Sequence, residues 1–416
     1  MPDILSQGEG RGSGPWPRRV AAAAVLVLVA VTIVHYLPRS RPGPVRPVRA
    51  AIVVTPSTPS TPSTPPPAVS GAVSGDAGVV VDPDGITGQT SSWPGGLRLP
   101  AAGAQPVWFW PGTGQVAPIG GLPRQQSGYQ FIRSAGGWAV QAVAQAQAAC
   151  GNCAGPPRAA YFLADSGRSV TPLGLADAVA PGTTGTLWLT RYPAAADPRT
   201  AAGLATEVST AGRPLGPQLR LPAGYLIEQG TDRGLLLAPV VRGASVTADK
   251  LWDPAAPRTS RTFAEVIAAS ATEIAWAPPC VARCRLEVLT LATGRQVSVE
   301  LAATSLVANA AFSPDGSFLA VQVSFGDNSD AGTEAVQLEL VSVASGHLSI
   351  VPQTWVSSDA LAGFGWPADR DSLVAELNFT TKVQLATWRP GASRLAIVAL
   401  RPEHSPASLV IGQFAP

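Results

Sequence analysis

Ala311-Phe312-Ser313-Pro314-Asp315-Gly316-Ser317-Phe318-Leu319-Ala320-Val321-Gln322-Val323, followed by Val336-Gln337-Leu338-Glu339-Leu340-Val341-Ser342-Val343-Ala344-Ser345-Gly346-His347, decides how the whole chain reads. In the first piece Pro presets φ, Asp bonds its own backbone and Gly supplies a positive φ, with apolar runs on both sides. That is the chemistry of a β-hairpin. In the second piece apolar residues alternate along one strand up to Ser345-Gly346, where a second tight turn sends the chain back. Together the two pieces predict a four-stranded antiparallel unit.

One such unit cannot bury both of its faces alone, so it must recur. The second turn is found seven times. It appears at Phe109 to Gly114, Phe162 to Gly167, Val208 to Gly212, Leu251 to Pro254, Leu289 to Gly294, Val343 to Gly346 and Thr387 to Gly391. Versions of the first hairpin lie between these copies: Phe131 to Val143, Val179 to Arg191, Leu226 to Val240, Val266 to Trp276, Phe312 to Val323 and Phe364 to Leu377. The turn residues Phe312, Ser313, Pro314, Asp315 and Gly316, with the small-residue-plus-Gly turn that follows, resemble a blade of the WD-repeat and TolB-type β-propeller families. The resemblance covers roughly residues 105–400. It implies an all-β propeller of about seven four-stranded blades, with an all-β sandwich as the alternative. The first blade lacks a leading hairpin, which either Val79 to Ile86 or the strand Leu409-Val410-Ile411 could supply.

The chain has 416 residues, of which 46% are hydrophobic and 13% charged, enough to bury a large core. The expected organisation is a polar tail over 1–19, a transmembrane helix over 20–37, a Pro-rich linker over 38–104 and the propeller over 105–416. Within the linker, 79–99 is free to pair with the propeller. Val20 to Leu37 carries no charge, and its eighteen residues just suffice to cross a hydrocarbon core as a helix. A cleaved signal peptide is the rival reading, but Val48-Arg49-Ala50 is a poor cleavage site and lies far beyond the apolar run. Arginines flank the run on both sides, so the positive-inside rule does not orient it. Orientation rests on Thr55 to Pro67, a Thr-Pro-Ser repeat that cannot form a core and extends as polyproline II over roughly 40 Å. Such a stalk suits a domain held outside the cytoplasm at a cell membrane. Abundant arginine with lysine only at Lys250 and Lys382, beside the Ala, Gly and Pro excess, suggests a GC-rich bacterial genome.

Four cysteines form two close pairs, Cys150 with Cys153 and Cys280 with Cys284. Both pairs fall in the loop between the first hairpin of a blade and its next strand. Two small disulfides pinning those loops are expected, each contributing roughly 2 kcal/mol. A four-cysteine zinc site would need the pairs to converge, yet they lie about three blades apart. A redox pair would want a helix N-terminus beside Cys150, where the sequence reads as strand and loop.

No catalytic constellation is evident, and none of the cofactor motifs is present: no G-x-S-x-G, H-E-x-x-H, G-x-x-x-x-G-K-[ST] or G-x-G-x-x-G. The histidines are His35, His347 and His404 alone. Glu228, Asp232, Glu265 and Glu273 read as solvated surface charge, and nothing in the sequence sets any two of them at glycosidase spacing. Gly326 to Glu334 is the best cation candidate but lacks the EF-hand spacing, so no metal site is assigned. Trp252, Trp276, Trp355, Trp366 and Trp388 are expected to pack between blades. From Ala50 onward 22 basic residues face 25 acidic ones, which argues against nucleic acid as a partner. The resemblance therefore implies a membrane-anchored binding or scaffold module for a protein, peptide or cell-envelope component. The alternative is an extracytoplasmic propeller enzyme acting on carbohydrate. A cluster of carboxylates, Arg or His at the mouth of the central channel would separate the two.

Overall fold

A computed structural model gives the architecture. It describes residues 98–400 apart from 103–104, 112, 126–127, 144–155, 195, 242–247, 257–259, 279–283, 302–304, 326–334, 355, 358–360, 368–371 and 379–382. The expected membrane helix over 20–37, the stalk, Val79 to Ile86 and Leu409 to Ile411 lie outside the described residues. So do Cys150, Cys153, Cys280, Trp355, His35, His404 and the loop Gly326 to Glu334.

The strands fall into seven antiparallel sheets, and the protein is a seven-bladed propeller. Blade 1 comprises β1 to β3 (Leu99–Ala101, Val107–Trp110, Gln115–Pro118). Blade 2 comprises β4 to β7 (Tyr129–Ser134, Gly137–Ala142, Arg158–Ala164, Thr171–Ala176). Blade 3 is β8 to β11 (Ala178–Pro181, Thr186–Arg191, Leu204–Ser209, Leu219–Arg220), and blade 4 is β12 to β15 (Tyr225–Thr231, Gly234–Pro239, Asp249–Trp252, Arg261–Phe263). Blade 5 is β16 to β19 (Val266–Ala269, Glu273–Trp276, Arg285–Thr290, Arg295–Glu300). Blade 6 holds β20 to β23 (Ser305–Phe312, Phe318–Phe325, Ala335–Ser342, Leu348–Ile350) with β24 (Val356–Ser357) also paired to β22. Blade 7 is β25 to β28 (Leu361–Gly365, Leu373–Asn378, Val383–Trp388, Ala396–Leu400). Every predicted hairpin is a first-to-second strand pair, and every predicted second turn joins the last two strands of its blade. Blade 1 has three strands among the described residues, and its β1 starts inside the segment expected to be linker.

The blades are buried on both faces, which explains their nearly continuous apolar strands. Along β22, Leu338 and Leu340 enter the core shared with blade 7, while Val341 enters the core shared with blade 5. One such cluster lies between each consecutive pair of blades from 1 to 7, six in all among the described residues. The tryptophans act as expected: Trp252, Trp276, Trp366 and Trp388 are all buried in these inter-blade clusters. Trp366 also donates its indole N–H to the carbonyl of Ala311 in blade 6 at 3.1 Å.

The Phe312 to Gly316 turn is closed by side chains as well as backbone. Ser313 N–H donates to the Phe318 carbonyl at 2.8 Å, and Phe318 N–H donates back to Ser313 Oγ at 2.9 Å. The Asp315 carboxylate accepts from Ser313 Oγ at 2.7 Å and from both the N–H and Oγ of Ser317 at 3.1 and 2.8 Å. Burial would raise the Asp315 carboxyl, but these hydrogen bonds outweigh it and hold it below the usual carboxylate range. Gly316 has φ +71°, and a Cβ there would stand 2.6 Å from Glu273 Oε2 in blade 5. No other residue type meets both conditions without strain.

Candidate functional site

In an antiparallel meander the first-hairpin turns and the third-to-fourth strand turns share one end of every blade. The loops from second to third strand and the connections between blades share the other. First strands of neighbouring blades adjoin one another, as β4 with β8, β8 with β12, β16 with β20 and β20 with β25, and so surround the central axis. The protein therefore offers three places for a ligand: a turn end, a loop end and a central channel.

At the turn end, arginines of one blade grip turns of the next. Arg98 donates to the carbonyls of Asp165 and Gly167 in blade 2 at 2.7 and 2.6 Å, with its guanidinium 4.1 Å from the Trp108 ring centre. Arg233 of blade 4 donates to Ala292 O in blade 5 at 3.1 Å, and Arg295 of blade 5 donates to Ala344 O and Val343 O in blade 6 at 2.6 and 2.8 Å. Within blade 2, Arg133 makes a two-pronged bond to the Asp165 carboxylate at 2.5 and 2.9 Å. Glu273 departs from expectation. Read as a surface charge, it is 7% exposed and accepts from Ser270 Oγ at 2.6 Å and from Thr272 Oγ1.

At the loop end, polar groups also tie blades together. Asp177 joins blade 2 to blade 3: its carboxylate accepts from Tyr192 N–H at 2.7 Å and its carbonyl accepts from Arg158. Arg158 reaches Ala142 O as well, at 2.9 Å. The Tyr192 hydroxyl donates to Tyr225 O in blade 4 at 2.9 Å, and burial, aided by the Asp177 carboxylate, pushes it up to about 12. Asp249 of blade 4 accepts from Val266 N–H of blade 5 at 2.6 Å. Cys284 lies at this end, buried in the core between blades 5 and 6.

Of the strands around the axis, β8, β16, β20 and β25 are rich in Ala and Gly, while β4 and β12 carry Gln130, Arg133, Glu228 and Gln229. Four of them, β12, β16, β20 and β25, carry a bulge, where Glu228, Ile267, Ala308 and Ala362 are the extra residues. Among the described residues, Arg133 and Glu228 are the side chains on the first strands that carry charge. No group of three His, Cys, Asp or Glu that could hold a metal ion occurs among the described residues. Nor do those residues include a helix long and apolar enough to cross a membrane.

Among the buried carboxylates that the sequence did not single out, Asp249, Glu339 and Glu376, the second stands apart. Glu339 stands in the apolar run of β22, directly opposite Val321 of β21 and Ile350 of β23. It is 6% exposed, its Oε2 has no hydrogen-bond partner, and burial pushes its carboxyl up to about 7. The signal was its place on the face shared with Val341, where alternation demands an inward side chain.

No protein-family model matches the sequence, and no curated protein matches it either. Solved structures do resemble it. TolB from Acinetobacter baumannii is 13% identical with a TM-score of 0.37, over 62% of this chain and 65% of that one. A putative TolB from Agrobacterium tumefaciens is 9% identical with a TM-score of 0.35, over 73% of this chain and 89% of that one. A prolyl endopeptidase is 10% identical with a TM-score of 0.47, over 73% of this chain and 50% of its own length. These likenesses concern the fold alone.

Proposed function

We propose that the propeller is a binding or scaffold module for a protein, peptide or cell-envelope component, held outside the cytoplasm by a single membrane helix over 20–37. The observation that carries this reading is the use made of the charged groups. On the described first strands only Arg133 and Glu228 carry charge, and Arg133 is committed to Asp165. At both ends the well-placed acids and bases bond turns and neighbouring blades. A glycosidase needs two carboxylates about 5 to 9.5 Å apart across a sugar, whereas Glu228 is the sole carboxylate on the described first strands. A rigid ring whose polar groups hold its own blades in register is suited to presenting a surface.

The test is retention of envelope proteins on the immobilised full-length chain, run beside an assay for cleavage of bacterial envelope polysaccharides. Selective retention without turnover is the expected outcome. Turnover abolished by Glu228→Gln would replace the module with an enzyme. Placement is tested by protease access to a C-terminal tag on cells stripped of their outer layers: a tag protected until lysis would put the propeller on the cytoplasmic side.

A further inference from the structure

Blade 3 carries a row of three exposed side chains that the fold does not use. Arg191 at the end of β9 lies directly opposite Leu204 at the start of β10, and Leu204 lies directly opposite Arg220 at the end of β11. Directly paired residues project from the same face of a sheet. Here it is the face that sends Leu187, Leu189 and Val208 into the core shared with blade 2. The row therefore forms one lip of the crevice between blades 2 and 3, at the loop end. Leu204 is 42% exposed, and both arginines are exposed with no hydrogen-bond or ion-pair partner among the described residues.

The facing lip adds to the same character. Val143, 41% exposed, continues the β5 face on which Gln141 donates to Ala176 O, and Arg158 sits across the crevice bonded to carbonyls. The local acids are already engaged: Asp177 with Tyr192 N–H, and Asp197 with Arg199 at 2.7 Å. The sequence from 144 to 155 contains no charged residue. The two arginines thus spring from backbone positions two strand spacings apart, about 10 Å, with an exposed leucine between them. Such a row repels itself and wets an apolar side chain, and both costs vanish when an apolar residue flanked by anions covers it.

We propose that this row docks an extended acidic peptide segment of a partner, in which an apolar residue covers Leu204 and carboxylates two positions to either side pair with Arg191 and Arg220. In an extended chain those carboxylate-bearing residues share one face and lie about 13 Å apart, a span that two long arginine side chains cover. The proposal rests on the binding-module reading and names its surface and the chemistry of its partner.

The experiment measures fluorescence polarisation of a labelled Glu-Ser-Leu-Ser-Glu peptide against the full-length chain at low salt. Binding is expected, and it weakens at least about tenfold in Arg191→Ser with Arg220→Ser and also in Leu204→Ser. Charge reversal by Arg191→Glu with Arg220→Glu is expected to transfer binding to Lys-Ser-Leu-Ser-Lys. All substituted side chains are exposed, and an unchanged unfolding midpoint verifies that the variants fold. Equal binding by parent and double-serine variant overturns the proposal, as does equal binding of the acidic and basic peptides or no binding of the acidic one. Retention of envelope proteins separates this failure from that of the module itself. If parent and double-serine variant retain the same proteins, the module stands and this surface is wrong; if the parent retains none, the module reading fails as well.

Discussion

Replacing Glu339 by glutamine should shift stability in favour of the variant increasingly as the pH rises. The carboxyl sits between Val321 and Ile350 with Oε2 unpartnered, and burial lifts it from 4.5 to about 7. Below the lower value both folded and unfolded states hold the proton, so ionisation costs nothing. Between the two values the unfolded chain alone has released it, and stability falls as pH rises by about 1.4 kcal/mol per unit. Above the upper value the folded protein carries a buried carboxylate, and the accumulated cost is about 3 kcal/mol. Glutamine is neutral throughout and nearly isosteric. Its own cost of burying an amide is independent of pH, so it cancels when the same pair of proteins is compared at two pH values. Unfolding free energies from urea titrations followed by tryptophan fluorescence, for parent and Glu339→Gln at about pH 4 and about pH 8, should show the gap between them shifting by about 3 kcal/mol in favour of the variant. A gap that stays flat across the range would refute the reasoning, because it would mean that the carboxylate is paired or hydrated in the folded state.

Gly316→Ala should cost about 2 kcal/mol, from the positive φ together with the clash against Glu273, and the loss should shrink when Glu273→Ser is added to give the new methyl room. Urea unfolding of the single and double variants measures both. A double-mutant cycle on Arg133 and Asp165, to alanine at each, should return a coupling of about 1 kcal/mol that falls as salt is raised, since the pair is about one quarter exposed. If the two cysteine pairs are disulfides, alkylation mass spectrometry without reductant finds all four cysteines blocked, and Cys280→Ser with Cys284→Ser lowers stability by about 2 kcal/mol. Free thiols in the untreated protein would dispose of that claim.

The repeat was legible because its turns are chemically constrained while its strands are not. Ser313, Asp315 and Gly316 close a hairpin by bonds that few other residues can make, and glycines 114, 212, 294, 346 and 391 all take positive φ in turns between the last two strands of a blade. Such positions mark the blades even where the flanking residues have drifted. Periodicity also placed the tryptophans, since a large ring near a strand end between two apolar sheets has one place to go. The bulges at Glu228, Ile267, Ala308 and Ala362 were not legible, because an extra residue in a first strand looks like any other residue until its partner strand is known. The inward position of Glu273 depended on Ser270 and Thr272 folding back toward it, a contact made by the turn and not by the alternation. The row Arg191, Leu204, Arg220 was hidden for the same reason: its members lie far apart in sequence, and only strand register brings them level.

The arginine grips at the turn end have an implication for how such a chain can change over time. Arg98, Arg233 and Arg295 fasten neighbouring blades through the carbonyl oxygens of Asp165, Gly167, Ala292, Val343 and Ala344. Every amino acid presents that oxygen, so a fastening of this kind is blind to the side chain on the gripped turn. Substitutions there can accumulate without loosening the joint, as long as the backbone path is kept and the single arginine stays. A ring assembled this way preserves its outline while the letters of its repeats wear away, blade by blade and at different rates.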